Sequence, residues 1–288
     1  SYGRRFWTKS FEAFAPPPVS KFSSVRYISS KFDIYVDDTE WGSKITASAI
    51  DTFMNALENR APQDSTQGIF DLVTDYIQII NPKTDSVNLK TAHFNLKLKN
   101  ITPSISGAIT RPFDYEEILM SYDSLYYQTN QYDVLSVGHV EWNGTDLEMN
   151  DTRLKTQYSR NQLSKMIEKE RDHMDFSIKN IKIHNLKYGE ESGEFYINTP
   201  LLELEQPSLN IYRDKRIADD LTKKPLYSKM LRELNFEMMI DTIKIKNGGI
   251  VYHEKVNSAT EAGMLDFSNL NASLYNVGNT YELGEKKT

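Results

Sequence analysis

The sequence predicts a mainly β protein: a long antiparallel sheet made of repeated units, with a few short amphipathic helices. Three observations predict it. A phrase recurs, first as Ile77-x-Ile79-x-Asn81, then as Ile181-x-Ile183-x-Asn185 and Ile243-x-Ile245-x-Asn247. Each copy puts two isoleucines on one face of a strand and ends at an Asn suited to a turn. Beyond Leu72 most of the chain alternates apolar and polar residues, the period of a strand with one wet face. The composition agrees: hydrophobic residues are only 39% of 288, yet Tyr (17) and Phe (13), both strand formers, are plentiful. A chain with a mean hydropathy of −0.56 cannot easily fill a thick core, but it can cover one side of a sheet. A β unit used several times argues for an array rather than a single core around an active site.

The elements follow in order. Residues 1 to 24 read as an irregular arm, with Pro16-Pro17-Pro18 as a stiff spacer and Phe6, Trp7, Phe11 and Phe14 available to dock on their own domain. Val25-x-Tyr27 and Phe32-x-Ile34-x-Val36 read as a strand or hairpin. Ile50, Phe53, Met54 and Leu57 fall at i, i+3, i+4, i+7 and predict a helix over 47–59, ended by Arg60-Ala61-Pro62. We expect residues 1–70 to form an N-terminal arm, strand pair and helix, a candidate cap, and 71–288 to form the repeated sheet. In the second region one strand runs through Ile77 and Ile79, Asn81-Pro82 turns it, and Phe94-x-Leu96-x-Leu98 returns. A short helix is expected at Tyr115–Met120. Asn143-Gly144 is the strongest hairpin signal. A second helix is expected from Asn161 to about Met174, and a third over Leu226, Met230, Leu231 and Leu234 after Pro225. Asn247-Gly248-Gly249 reads as a hairpin turn, and a slip in the alternation at Ser268-Asn269 predicts a bulge or tight turn.

The chemistry is informative by what it lacks. There is no cysteine, which removes disulfides, zinc thiolates and thiol nucleophiles. The five histidines, His93, His139, His173, His184 and His253, include no i, i+4 pair and no H-E-x-x-H. No G-x-S-x-G, Walker loop or G-x-G-x-x-G occurs. The adjacent pairs Asp37-Asp38 and Asp219-Asp220 would point to opposite faces of a strand and share neither a proton nor a metal. Four Asn-x-Ser/Thr sequons, at Asn100, Asn143, Asn150 and Asn271, are what β turns rich in Asn and Thr produce. A net charge of −6, from 40 acidic and 34 basic residues in mixed order, offers no basic stripe to nucleic acid. We expect no enzyme, no cofactor and no metal. No apolar run reaches the roughly 18 residues of a membrane span. The pair Arg4-Arg5 is not followed by the apolar region of an export signal. The chain starts without Met, and we expect it to be a piece of a longer protein whose anchor lies elsewhere.

One stretch carries a family likeness. Lys224 to Phe236 leads into Ile240-Asp241-Thr242-Ile243-Lys244-Ile245-Lys246-Asn247-Gly248-Gly249-Ile250-Val251-Tyr252, and Ala262-Gly263-Met264-Leu265-Asp266-Phe267-Ser268-Asn269-Leu270-Asn271-Ala272 follows. This resembles the repeat of AsmA-like proteins of the Bacteroidetes type, in which a short helix leads into an I-D-x-I-x-I-x-N-G-x-I-x-Y segment and then a G-x-L-x-F-x-N-L-N-A strand. The likeness covers about residues 176–279, is thin from 72 to 175 and is absent before 70. It implies kinship with bridge-like lipid-transfer proteins, whose long sheets curl into a groove with an apolar inside. It also implies a Gram-negative envelope location in the periplasm, an inner-membrane anchor and a part in phospholipid transport towards the outer membrane.

The physics of such a groove is simple. Each methylene moved through water costs roughly 0.8 kcal/mol, so a sixteen-carbon tail costs on the order of 13 kcal/mol. An apolar sheet face cancels most of that without any chemistry. The candidate lining is Ile77, Ile79, Phe94, Leu96, Leu98, Ile181, Ile183, Leu202, Leu204, Leu209, Ile211, Ile243 and Ile245. The expected partner is phospholipid or another acyl lipid, with envelope proteins as further partners. The same residues could instead face a helix or a second sheet. The alternative function is therefore a structural or protein-interaction scaffold without lipid cargo.

Overall fold

Isoleucine, valine, tyrosine and phenylalanine set against Lys, Glu, Asn and Thr at every second position leave most of this chain one stable choice, the half-buried strand. The computed structural model describes residues 24–29, 32–35, 68–81, 86–103, 113–191, 194–221, 231–232, 234 and 236–279. They form fourteen strands and one helix, so the protein is mainly β, as the sequence predicts. The chain divides into two units, Ser1–Gln128 with Gly138–Gly144, and Thr129–Val137 with Thr145–Thr288.

The first unit holds β1 (Ser24–Ser29), β2 (Phe32–Tyr35), β3 (Gly68–Asn81), β4 (Ser86–Pro103), β5 (Phe113–Asp114), β6 (Glu117–Gln128) and the second half of β7 (Asp133–Trp142). β3 and β4 pair antiparallel, as the first copy of the phrase predicts, with Asn81 facing Ser86 at the turn. β6 adds antiparallel to β4. β1 and β2 do not form a hairpin. Both pair parallel to β3, one after the other along it. Parallel neighbours need a crossover connection of a dozen or more residues, and residues 36–67, which include the expected helix over 47–59, supply its length. That helix, the proline-rich arm and the turn at Pro82 lie outside the described residues. Because β3 begins at Gly68 and carries β1 and β2, the boundary expected at residue 70 falls within a strand. The short helix expected at Tyr115–Met120 is instead the start of β6: Ile118 and Met120 stand opposite Leu98 and Leu96, and this ladder outweighs local helix preference.

The second unit holds the first half of β7, then β8 (Leu147–Thr156), helix α1 (Arg160–Met166), β9 (His173–His184), β10 (Lys187–Glu191), β11 (Glu194–Glu205), β12 (Ser208–Asp214), β13 (Glu237–Lys255) and β14 (Gly263–Gly278). Gly144, at φ +95°, stands in the turn before β8, where Asn143-Gly144 predicts one. β8–β9, β9–β11, β9–β12, β10–β11 and β13–β14 are antiparallel. β13 runs parallel to both β11 and β12. The sheet is therefore mixed rather than wholly antiparallel, with residues 215–236 as the crossover.

Helix α1 is capped by Ser159 and Gln162, whose side chains each satisfy the other's backbone N–H, at 3.3 and 3.0 Å. It buries Leu163 and ends at Ile167. The expected continuation to Met174 does not form. The charged run that follows is held extended by ion pairs to the end of β12 and beyond, Glu170 with Lys215 at 2.8 Å and Asp172 with Arg213 at 2.7 Å. Met174 already lies in β9, opposite Ile211. Of the helix expected over Leu226–Leu234, most lies outside the described residues.

In the second and third copies the Asn that closes the phrase has a different role from the one expected. Asn185 and Asn247 are in the left-handed region, at φ 53° and 54°, but neither turns the chain back. β13 runs straight through Asn247-Gly248-Gly249, so that segment is no hairpin. β9 and β10 form one line against β11 in unbroken register across Asn185. β11 and β12 likewise form one line against β9 across Gln206, at φ 51°. A single left-handed residue reverses the pleat without reversing the direction of the strand. Asn269, at φ 54° beside a register shift in β14, is the bulge that the slip at Ser268-Asn269 predicts.

Candidate apolar binding face

Register decides which side chains share a face, because residues directly opposite one another point the same way. In the second unit Ile183 stands between Leu147 and Leu202, and Ile181 between Met149 and Leu204. Leu202 and Leu204 stand beside Ile243 and Ile245, which face Leu274 and Ala272. Six of the predicted residues, Ile181, Ile183, Leu202, Leu204, Ile243 and Ile245, thus share one face on three adjacent strands, β9, β11 and β13; with Leu147 and Met149 on β8 and Ala272 and Leu274 on β14 that face runs over five strands, about 19 Å from first to last. Ile181 is buried, at 7% exposure, while the other five are half-buried.

The remaining pair in this unit lies beyond a transverse row of left-handed residues, Asp151, Gln206, Asn247 and Asn269. There Leu209 stands between Phe176 and Ile250, and Ile211 between Met174 and Tyr252. The two blocks share a face. A Cβ on Gly248 would lie 3.4 Å from Ile245 Cγ2 and 3.3 Å from the Pro207 ring, so this position points to the same side as Ile245, and Ile250 is two residues on. The pleat reversal at Gln206 and Asn247 is what keeps the apolar side continuous, by turning a step of two residues into a step of three between Leu204 and Pro207, and between Ile245 and Gly248.

The reverse face is charged. Lys182 lies 3.8 Å from Glu148, and Glu203 accepts from Lys246 at 2.8 Å and pairs with His184 at 3.1 Å. Those two partners, Lys246 first, hold the Glu203 carboxyl below its ordinary range. Arg153 and Asp175 continue the same pattern, with a hydrogen bond at 2.7 Å.

In the first unit Leu98 lies opposite Ile118 and Leu96 opposite Met120, and the Phe94 ring stacks on Tyr122 with centroids 6.0 Å apart. Leu98 is buried at 4% exposure, while Leu96 and Phe94 are half-buried. Ile77 is half-buried and faces Thr91. Ile79 is placed opposite Leu89, and its side chain lies outside the described residues. The predicted lining is therefore shared between two units, eight residues in the second and five in the first.

Sequence reasoning missed one polar constellation in the first unit. Asp123 on β6 accepts from His139 on β7 at 2.5 Å and from His93 on β4 at 3.0 Å, and His139 also reaches Glu141 at 3.1 Å. Hydrogen bonding to His139 and then His93 lowers the Asp123 pKa, and Asp123 and Glu141 raise that of His139. No spacing rule finds three residues on three strands. His93 and Ser124, both left-handed, mark the pleat reversal that brings them together. Among the described residues no group of His, Cys, Asp and Glu is placed to hold a metal ion, and no helix is long and apolar enough to cross a membrane.

A concavity of about 680 Å³ in the second unit, lined by Tyr132, Asp133, Met166, Arg171 and Met174 among others, lies where α1 gives way to β9. Its charges serve one another: Asp133 accepts from Arg171, from Thr156 at 2.9 Å and from Asn130 at 3.0 Å, and Arg171 lies 4.8 Å over the Tyr132 ring. This arrangement anchors the turn before β7 to the start of β9. Comparison with known proteins adds nothing to this geometry: no family model, no curated protein and no solved structure matches the chain.

Proposed function

We propose that this chain is a non-enzymatic lipid-binding segment of an AsmA-like cell-envelope protein, shielding acyl chains on the apolar face of its sheet. One observation carries the reading: Ile181, Ile183, Leu202, Leu204, Ile243 and Ile245 form a single apolar patch over adjacent strands, mostly half-exposed, with their charged neighbours all on the reverse side. Such a patch offers a hydrocarbon tail contact without hydrogen-bonding demands and makes no distinction between head groups, which suits transport rather than chemistry. Charge on the reverse side keeps that surface in water. The periplasmic location and an inner-membrane anchor come from the family likeness.

The test is uptake. Delipidated protein is titrated with a phospholipid carrying a fluorophore on its acyl chain, and the extract of freshly purified protein is examined for phospholipid by mass spectrometry. Saturable uptake with co-purified phospholipid is expected. Absence of both would remove the reading.

A further inference from the structure

Among the described residues of the second unit, exposed apolar side chains gather not in the middle of the sheet but along an edge. β14 pairs with β13 along one side, and among the described residues no strand pairs with the other. Met264, Leu265, Phe267, Leu274 and Tyr275 are 61, 58, 52, 46 and 69% exposed. Open edges are ordinarily protected by charge, proline or shortness. β14 has sixteen residues, no proline, and Asp266 as its single charged residue. The five-residue β10, in contrast, carries Lys187, Glu190 and Glu191.

The geometry points to a second copy of this chain as the occupant, β14 pairing antiparallel with β14 about a two-fold axis through Asn269 and Leu270. The strand is complementary to itself in that register. Leu265 would stand opposite Leu274 of the other copy, Phe267 opposite Ala272, and Met264 opposite Tyr275. Apart from Leu270, which meets Asn269 at the axis, residues that face the apolar side against β13 thus meet residues of the same side, and the two apolar faces join. The lone charge, Asp266, meets Ser273 and not its own copy, so no like charges are brought together. The left-handed Asn269 falls at the axis, where it extends the row formed by Gln206 and Asn247; β9 crosses that row in unbroken register against β11 and β12, and the β13–β14 ladder slips by one residue there and recovers. An isologous contact of this kind closes as a dimer and leaves no β14 edge for further growth. Sixteen strand residues, flanked by side chains of β13, approach the roughly 20 residues a side of a standard interface. The inference does not depend on lipid binding.

The test uses the absence of native cysteine. Residues directly opposite across an antiparallel pair lie about 4.5–5.5 Å apart at Cα, within the range of a disulfide. Chains carrying M264C and chains carrying Y275C are mixed, oxidised and compared with each variant alone. Both sites are exposed, and folding is checked by circular dichroism. The mixture should give a covalent dimer and each variant alone should not. Light scattering should show a dimer for the unaltered chain at micromolar concentration and a monomer for the M264K, Y275K double variant, in which lysines would face each other twice. A cross-link in either single variant alone, no cross-link in the mixture, or a monomeric unaltered chain at 100 μM concentration (about that value, well above a typical dimer Kd) overturns the inference.

Discussion

Replacing Ile245 by Asp separates binding from folding. Ile245 is half-buried on the apolar face, between Leu204 and Ala272, and the lysines next to it in sequence, Lys244 and Lys246, belong to the reverse side. In the free protein the carboxylate stays in contact with water. The folding cost is then about half the transfer value of an isoleucine, ~1 kcal/mol. An acyl chain lying on this patch would shut water away from an unpaired carboxylate, a penalty of several kcal/mol. At 1.4 kcal/mol per tenfold, that is a loss of affinity of at least about 100-fold. Urea unfolding gives the first quantity and titration with acyl-labelled phospholipid the second. Lys244→Ser, one residue away on the other side of the sheet, should leave uptake within about twofold, a change of only a few tenths of a kcal/mol. If the Ile245 variant binds as well as the parent, or the Lys244 variant loses as much, the assignment of faces to function is wrong.

Three further outcomes follow from the same structure. Ile181→Ala, at the most buried site of the patch, should cost about 2–4 kcal/mol in urea unfolding with an unchanged denaturant slope. Asp133→Ala removes a buried acceptor shared by Arg171, Thr156 and Asn130 and should cost about 3 kcal/mol, whereas Asp219→Ala, at an exposed ion pair, should fall within about 0.5 kcal/mol of the parent. The Asp123–His139 pair predicts a pH signature. The raised His139 pKa means that its contribution is complete below pH 6.5 and fades as pH rises through the raised value. The lowered Asp123 pKa means that its contribution is present above pH 3.8 and fades as pH falls below. The unfolding midpoints of the parent and of His139→Gln should therefore differ most near pH 5–6 and converge in mild alkali, and midpoints that stay parallel from pH 5 to 9 would contradict the assignment.

The face was legible because it depends only on alternation within a short run. Ile181-x-Ile183, Leu202-x-Leu204 and Ile243-x-Ile245 each specify two residues of one side, and pairing in register aligned them. What alternation could not show was how one run joins the next. A strict period of two makes Leu204 and Leu209, or Ile245 and Ile250, belong to opposite faces, and it makes Asn185 and Asn247 look like ends. The left-handed residue between those runs, Gln206 or Asn247, converts a two-residue step into three, and its signature is a Gln or Asn two residues after the apolar pair. Asn tolerates that conformation inside a strand as readily as in a turn, so the residue type alone did not distinguish a pleat reversal from a hairpin. The parallel pairing of β13 with β11 and β12 was beyond local pattern, since it rests on the long connection between Asp214 and Glu237. The helix expected to reach Met174 failed for another reason: ion pairs to Arg213 and Lys215, forty residues on, hold Asp172 and Glu170 in an extended path.

The central claim is that hydrocarbon lies on this patch, and contact mapping tests it most directly. Protein loaded with a phospholipid bearing a photoreactive group midway along its acyl chain is irradiated, digested and sequenced by mass spectrometry. The account predicts adducts on peptides containing Ile181–Ile183, Leu202–Leu204 and Ile243–Ile245, removed by competing unlabelled phospholipid. Adducts confined to peptides outside these strands, or spread evenly and insensitive to competitor, would contradict it.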